Sequence, residues 1–204
     1  MSVRSVNNRP LILGLTGGIA TGKSTASAYF KAQGLVVVDC DEIVKKLWQE
    51  DKTMVKEIKD VFGFAVDAPE ARRRFSEIIF EDASKRKALN TIIHPLVFNE
   101  IEKQLLQHRH EPVIIIDMPL LYEVKYQSKC DQVMLIYINK KTQIERLMKR
   151  DGLSRSQALK RLASQIPIGE KKAMADIVFD NSGTQEQLIE HISTFIKELQ
   201  DEKQ

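Results

Sequence analysis

The sequence predicts an α/β fold built on a parallel sheet, and three segments carry that expectation. The first is the apolar run Leu11-Ile12-Leu13-Gly14-Leu15, which leads into Gly17-Gly18. The second is a helical pattern from Ser24 to Ala32, stopped at Gly34 and followed at once by the β-branched run Leu35-Val36-Val37-Val38 up to Asp39. The third is Val113-Ile114-Ile115-Ile116, closed by Asp117. Strand, helix and strand in such close succession form a crossover connection, which makes the two strands parallel. Apolar runs without polar alternation mark strands covered on both faces, as in sheets flanked by helices.

The elements follow in order. Asp39 to Val113 is too long a gap for an ordinary connection. Its pattern is helical over Glu42–Trp48, Met54–Phe62, Phe75–Phe80, Lys85–Ile93 and Leu96–Leu106, so it reads as a helical excursion above the carboxyl edge of the sheet. Val133–Ile138 is a fourth strand, and Asn139 is placed to cap a helix running to about Arg150. Ser154-Arg155-Ser156-Gln157 and Thr184-Gln185-Glu186-Gln187 both have the spacing of a capping box. Ile177-Val178-Phe179 is a short fifth strand. Trp48 shares an apolar stripe with Val44 and Leu47 and is assigned to a core.

With 204 residues, 43% hydrophobic and 29% charged, the chain suits one domain or one core with an insertion. A net charge of only +3 gives no general case for nucleic acid. No apolar run reaches membrane-spanning length. Cys40 and Cys130 match neither a C-x-x-C pair nor a zinc spacing, which points to a reducing compartment. The expectation is a cytoplasmic protein without membrane or nucleic-acid partners, either a monomer or a weak homo-oligomer.

The chemistry starts at Gly17-Gly18-Ile19-Ala20-Thr21-Gly22-Lys23-Ser24-Thr25, a Walker A pattern with a strand before it and a helix after it. Triphosphate oxygens need converging N–H donors, and glycines let the backbone turn and approach. The helix beginning near Lys23 points its positive end at the anion. Lys23 supplies a mobile charge to the β- and γ-phosphates, and the Ser24 hydroxyl can ligate Mg²⁺. Asp39 and Asp41, two apart at a strand end, can face the same side. They can orient an attacking hydroxyl, hold a metal-bound water, or simply cap the next helix. Asp117 is either a metal-binding carboxylate or a turn residue ahead of Pro119. Arg146 and Arg150 share a helix face with Arg155 close by. They form either a solvated basic face or a lid whose arginine stabilises the transferring phosphoryl group. A guanine reader would need Asn-Lys-x-Asp, and Asn139-Lys140-Lys141-Thr142 lacks the aspartate.

Taken together, these features resemble the bacterial dephospho-coenzyme A kinase family from about Leu11 to Ile196. The resemblance rests on Leu15-Thr16-Gly17-Gly18-Ile19 leading into Gly22-Lys23-Ser24-Thr25, then Asp39-Cys40-Asp41 where the family usually has Asp-Ala-Asp. It continues in Leu89-Asn90, His94-Pro95, Pro119-Leu120-Leu121 with Glu123, Arg146 to Arg150-Asp151, Gln165, Ala175-Asp176 and Asn181. It implies a P-loop NTPase fold like that of the nucleoside monophosphate kinases, spanning 11–200. Such a fold has a five-stranded parallel core (about 11–41, 112–139 and 175–200), a helical substrate region (about 42–111) and a lid (about 140–174).

It further implies ATP and dephospho-CoA as substrates with Mg²⁺. Lys23, Asp41 and Arg146 would be catalytic, with Asp41 as the base. Gly17 to Thr25, Arg150 and Asn181 would bind ATP, with Asn181 near the adenine. Asp39, Arg72, His94 and Leu120 would meet the acceptor, and Ser24 would hold Mg²⁺ with Asp39 or Asp117 acting through water. The stretch before Arg72 is shorter than the family's, so Arg73 and Arg74 stay open as alternatives. His94 can also be read as a helix-ending residue before Pro95. Ala20-Thr21 stands where Gly-Ser is more usual, an exchange expected to be harmless because backbone N–H groups do the binding.

Overall fold

The computed structural model describes residues 9–63, 75 and 82–201. In chain order the elements are β1 (Leu11–Gly17), α1 (Lys23–Ala32), β2 (Val36–Asp39), α2 (Cys40–Glu50), α3 (Lys52–Phe62), α4 (Ala83–Gln107), β3 (Val113–Asp117), β4 (Gln132–Tyr137), α5 (Lys140–Asp151), α6 (Arg155–Leu162), α7 (Ile168–Met174), β5 (Ile177–Asp180) and α8 (Gln185–Asp201). They form two compact units, one of residues 1–38 and 108–204, the other Asp39–Gln107.

The first unit holds a five-stranded sheet in the order β2-β3-β1-β4-β5. β1 pairs in parallel with β3 on one side and β4 on the other, and β4 pairs in parallel with β5. The apolar runs explain this arrangement. Leu11, Leu13 and Leu15 of β1, with Val113 and Ile115 of β3 and Met134 and Ile136 of β4, pack on one side with Ala26 and Phe30 of α1 and Leu188, Ile192 and Ile196 of α8. The intervening Ile114, Ile116 and Leu135 are also fully buried. Each of these aliphatic side chains contributes on the order of 1.5–3 kcal/mol when buried. Asn139 accepts from the N–H of Thr142, and Ser154 with Gln157 forms the capping box. Thr184 and Gln187 bond reciprocally in the same way. No described helix is long and apolar enough to cross a membrane. Neither cysteine is in a disulfide, and burial pushes the Cys130 thiol up to about 12, where it is chemically inert.

The second unit is helical. α2 and α3 pack on α4, with Ile43, Met54, Ile58, Ile93, Val97 and Ile101 buried. Trp48 lies edge-on to Phe75, as does Phe62, consistent with its assignment to a core. Phe75 is helical, and the rest of the Phe75–Phe80 segment lies outside the described residues, as do Arg72, Arg73 and Arg74.

Two expectations need correction here. The helix after β2 starts at Cys40 rather than Glu42, because the Asp39 carboxylate caps it by accepting from the N–H groups of Asp41 and Glu42. Asp39 and Asp41 are therefore not two residues of one extended segment. Lys85–Ile93 and Leu96–Leu106 are one helix, which runs through Pro95. A proline inside a helix costs about 3 kcal/mol. Burial of Ile93, Val97 and Ile101 along that helix outweighs it at about 1.5–3 kcal/mol each. His94 accordingly ends no helix. It is half-buried, stacks at a tilt 5.7 Å from Phe98, and burial lowers its pKa.

Pro95→Ala should stabilise the protein by about 1–2 kcal/mol, since it restores a helical N–H at an exposed position while loosening the unfolded chain. Thermal unfolding followed by circular dichroism measures this, and a lower melting temperature would show that the ring itself is needed.

Candidate active site

In the first unit the carboxyl end of β1 lies between those of β3 and β4, the position where open α/β sheets bind ligands. Leu15 is in register with Asp117, so the end of β3 stands beside the beginning of the phosphate loop. Lys23, the first residue of α1, places Nζ 2.5 Å from the Asp117 carboxylate. This ammonium is only partly shielded (14% exposed), and the carboxylate is nearly closed off (3%).

The loop is shaped for an anion. Gly22 caps α1 at φ 93° with no side-chain capping bond, and Thr25 N donates to Gly22 O, so the N–H groups of Lys23 and Ser24 are left for a ligand. A β-carbon on Gly22 would strike Nδ2 of Asn181, and one on Gly18 would strike Nε2 of Gln143. Those two amides fill the space the glycines leave. Asn181 Nδ2 donates to Thr21 O at 2.8 Å, and Gln143 Nε2 donates to Ile19 O at 2.8 Å. Gln165 Oε1 accepts from Ile19 N at 3.1 Å, and Thr21 Oγ1 donates to Gly18 O at 2.9 Å. Ile19 and Ala20 pack against Ile144, Leu147 and Ala158 of α5 and α6. Ala20 itself sits at φ 62°. The exchange of glycine for alanine there is therefore not free, because a left-handed conformation costs an alanine about 1–2 kcal/mol.

Beneath the loop lies Lys171 of α7, fully buried. Its ammonium donates to Gly17 O (3.3 Å), Pro119 O (3.1 Å) and the Glu123 carboxylate (2.9 Å). Glu123 Oε1 also accepts from Ile166 N. Burial lowers the Lys171 pKa, and Glu123 acts in the opposite direction. Sequence reasoning named neither Lys171 nor Gln143 as a site residue. A lysine inside Glu170-Lys171-Lys172 reads as solvated, and nothing local marks a glutamine in the first turn of α5.

The remaining expected residues fall as follows. Ser24 is exposed in the first turn of α1, and Thr25 follows it half-buried. Arg146 Nη2 donates to Asn181 O at 3.0 Å, which joins α5 to the end of β5. Arg150 is exposed and pairs with Asp151, which also holds Arg161, so Arg146 and Arg150 have different surroundings on one face. Asn181 is buried with its amide on the loop. Leu120 is exposed at 38%. Asp39 and Asp41 open the second unit, Asp39 as the helix cap and Asp41 exposed in the first turn. His94, Asn90, Arg86 and Lys87 line a cavity of about 510 Å³ on α4. The donors available to Mg²⁺, the Ser24 hydroxyl and the Asp117 carboxylate, are hard oxygens and fit that ion.

A parallel sheet whose first strand runs into a glycine-rich loop at a helix N-terminus, with a lysine and a carboxylate at its mouth, defines a P-loop phosphotransferase. The sequence pattern of the family described as dephospho-CoA kinase matches residues 11–187. A dephospho-CoA kinase from Shouchella clausii is 41% identical over 179 residues, 85% of this chain and 91% of that one. The structure of a Thermus thermophilus protein titled TT1252 superposes with a TM-score of 0.78 at 30% identity, over 93% of this chain and 98% of that one. A dephospho-CoA kinase from Campylobacter jejuni does so with a TM-score of 0.70 at 26% identity, over 95% and 98%. The chain belongs to the dephospho-CoA kinase family, whose members catalyse the final, ATP-dependent step of coenzyme A biosynthesis.

Two substitutions in the loop should act in opposite directions. Ala20→Gly relieves the positive φ and should leave stability unchanged or raise it by up to about 1 kcal/mol. Gly22→Ala adds left-handed strain and a collision with Asn181, and should destabilise the protein by at least about 1 kcal/mol and impair ADP binding. Melting temperatures of both variants with and without ADP check the pair; equal behaviour would contradict the loop geometry.

Proposed function

We propose that this chain transfers the γ-phosphoryl group of ATP to the ribose 3′-hydroxyl of dephospho-CoA, giving coenzyme A and ADP. The observation that carries the reading is the phosphate loop, with free N–H groups at the start of α1 and Lys23 and Asp117 at its mouth. Its setting in a chain of this family names the acceptor.

The residues divide the work as follows. The N–H groups of Ala20, Gly22, Lys23 and Ser24 receive the β- and γ-phosphates, whose arrival draws Lys23 away from Asp117. Ser24 would hold Mg²⁺, with Asp117, once released, or Asp39 beside it, and the bound ion would offset charge on the triphosphate. Asp41 accepts the proton of the 3′-hydroxyl as that oxygen attacks the γ-phosphorus and the bond to the β-bridging oxygen breaks. Arg146 leaves Asn181 O for the transferring group, so that α5 and α6 serve as a lid, with Arg150 on the nucleotide and Asn181 beside the adenine. Leu120, His94, Asp39 and one of Arg72, Arg73 and Arg74 contact the acceptor. The chain works in the cytoplasm on these two small molecules.

The test is phosphoryl transfer from ATP to dephospho-CoA, AMP, CMP and pantothenate in parallel. Transfer to dephospho-CoA alone is expected, and preference for another acceptor overturns the reading. Lys23→Ala should lose about 10²–10³-fold in rate with native circular dichroism. Asp41→Asn should lower turnover by about 10²–10⁴-fold with little change in ATP affinity. If Asp39→Asn carried that turnover defect while Asp41→Asn did not, the base would be misassigned.

A further inference from the structure

Three side chains outside the phosphate loop donate to its carbonyl groups: Lys171 to Gly17, Gln143 to Ile19 and Asn181 to Thr21. In a trans peptide the carbonyl and the following N–H point in opposite directions. Holding Ile19 O on Gln143 therefore turns the Ala20 N–H away from that side chain, and holding Thr21 O on Asn181 does the same for Gly22. Gln143 is 4% exposed and Lys171 is fully buried, so both donor side chains are shielded from solvent. Lys171 adds a second link. Its ammonium joins the first residue of the loop to Pro119, two residues past Asp117, and through Glu123 to the backbone of Ile166. One buried charge thus sets the distance between the loop that receives phosphate and the strand end that holds Lys23.

We propose that Gln143 and Lys171 are positioning residues for nucleotide binding, holding the loop's carbonyls from outside so that its N–H groups face the phosphates. This rests on the reading of the loop as the ATP site. Gln143→Glu keeps the size of the side chain and replaces its donor with an acceptor. Lys171→Met combined with Glu123→Gln removes both charges of the pair and leaves Ile166 N an acceptor. In isothermal titration with ADP, each variant should bind about tenfold more weakly than the parent. The KM for ATP should rise in step, while the KM for dephospho-CoA stays within about twofold. A purely structural contact would lower the melting temperature and leave the ratio of the two KM values unchanged. Parental ADP affinity in both variants, or equal rises in both KM values, overturns the proposal. If the double variant fails to fold, Gln143→Glu decides alone. If the parent protein itself does not bind ADP, the site reading fails; parental binding with unaffected variants defeats only this inference.

Discussion

A loop that receives an anion must keep the N–H groups that face it without protein partners, so most of its carbonyl groups have to be satisfied from elsewhere. Buried polar groups left unpaired cost about 1–3 kcal/mol each. In this chain the carbonyls of Gly17, Ile19 and Thr21 are met by Lys171, Gln143 and Asn181, brought in from α7, α5 and the end of β5. Much of the first unit answers that requirement. The parallel order of the strands brings β3 and β5 level with the loop. α5 and α6 close on its apolar residues, and the glycines leave room for the two amides.

The same arrangement pairs two cations beside the loop, Lys23 with Asp117 and Arg146 with Asn181 O, and on the proposed reading these are the charges the reaction uses. Each cation is held by an acceptor that can release it when a more highly charged partner arrives, because a triphosphate attracts an ammonium more strongly than a single carboxylate does. Lys171 differs in kind. It is closed off from solvent and uses its ammonium on two carbonyls and a carboxylate.

Much of this was legible in the sequence because the signals are local. Val113–Ile116 and Leu11–Leu15 are strands by composition alone. Asn139, Ser154 and Thr184 cap helices with bonds that span three residues, and the phosphate loop carries its own spacing. Other features depend on contacts between distant parts of the chain. Pro95 reads as a helix breaker until the burial of Ile93, Val97 and Ile101 is known. Asp39 reads either as a helix cap or as a site carboxylate until its carboxylate is seen accepting from the N–H groups of Asp41 and Glu42. Lys171 looks like one of several surface lysines, and its partners lie 48, 52 and 154 positions away. Ala20, expected to be a neutral replacement, takes a backbone angle that only the folded loop reveals.

On the proposed reading this loop is the cradle for the triphosphate. Backbone amide NMR of the labelled protein during a titration with ADP and Mg²⁺ tests it most directly. Charge-assisted hydrogen bonds to phosphate should shift the amide protons of Ala20, Gly22, Lys23 and Ser24 strongly downfield and together, saturating at one equivalent. Saturable binding that leaves those four amides in place while shifting amides elsewhere would contradict the account.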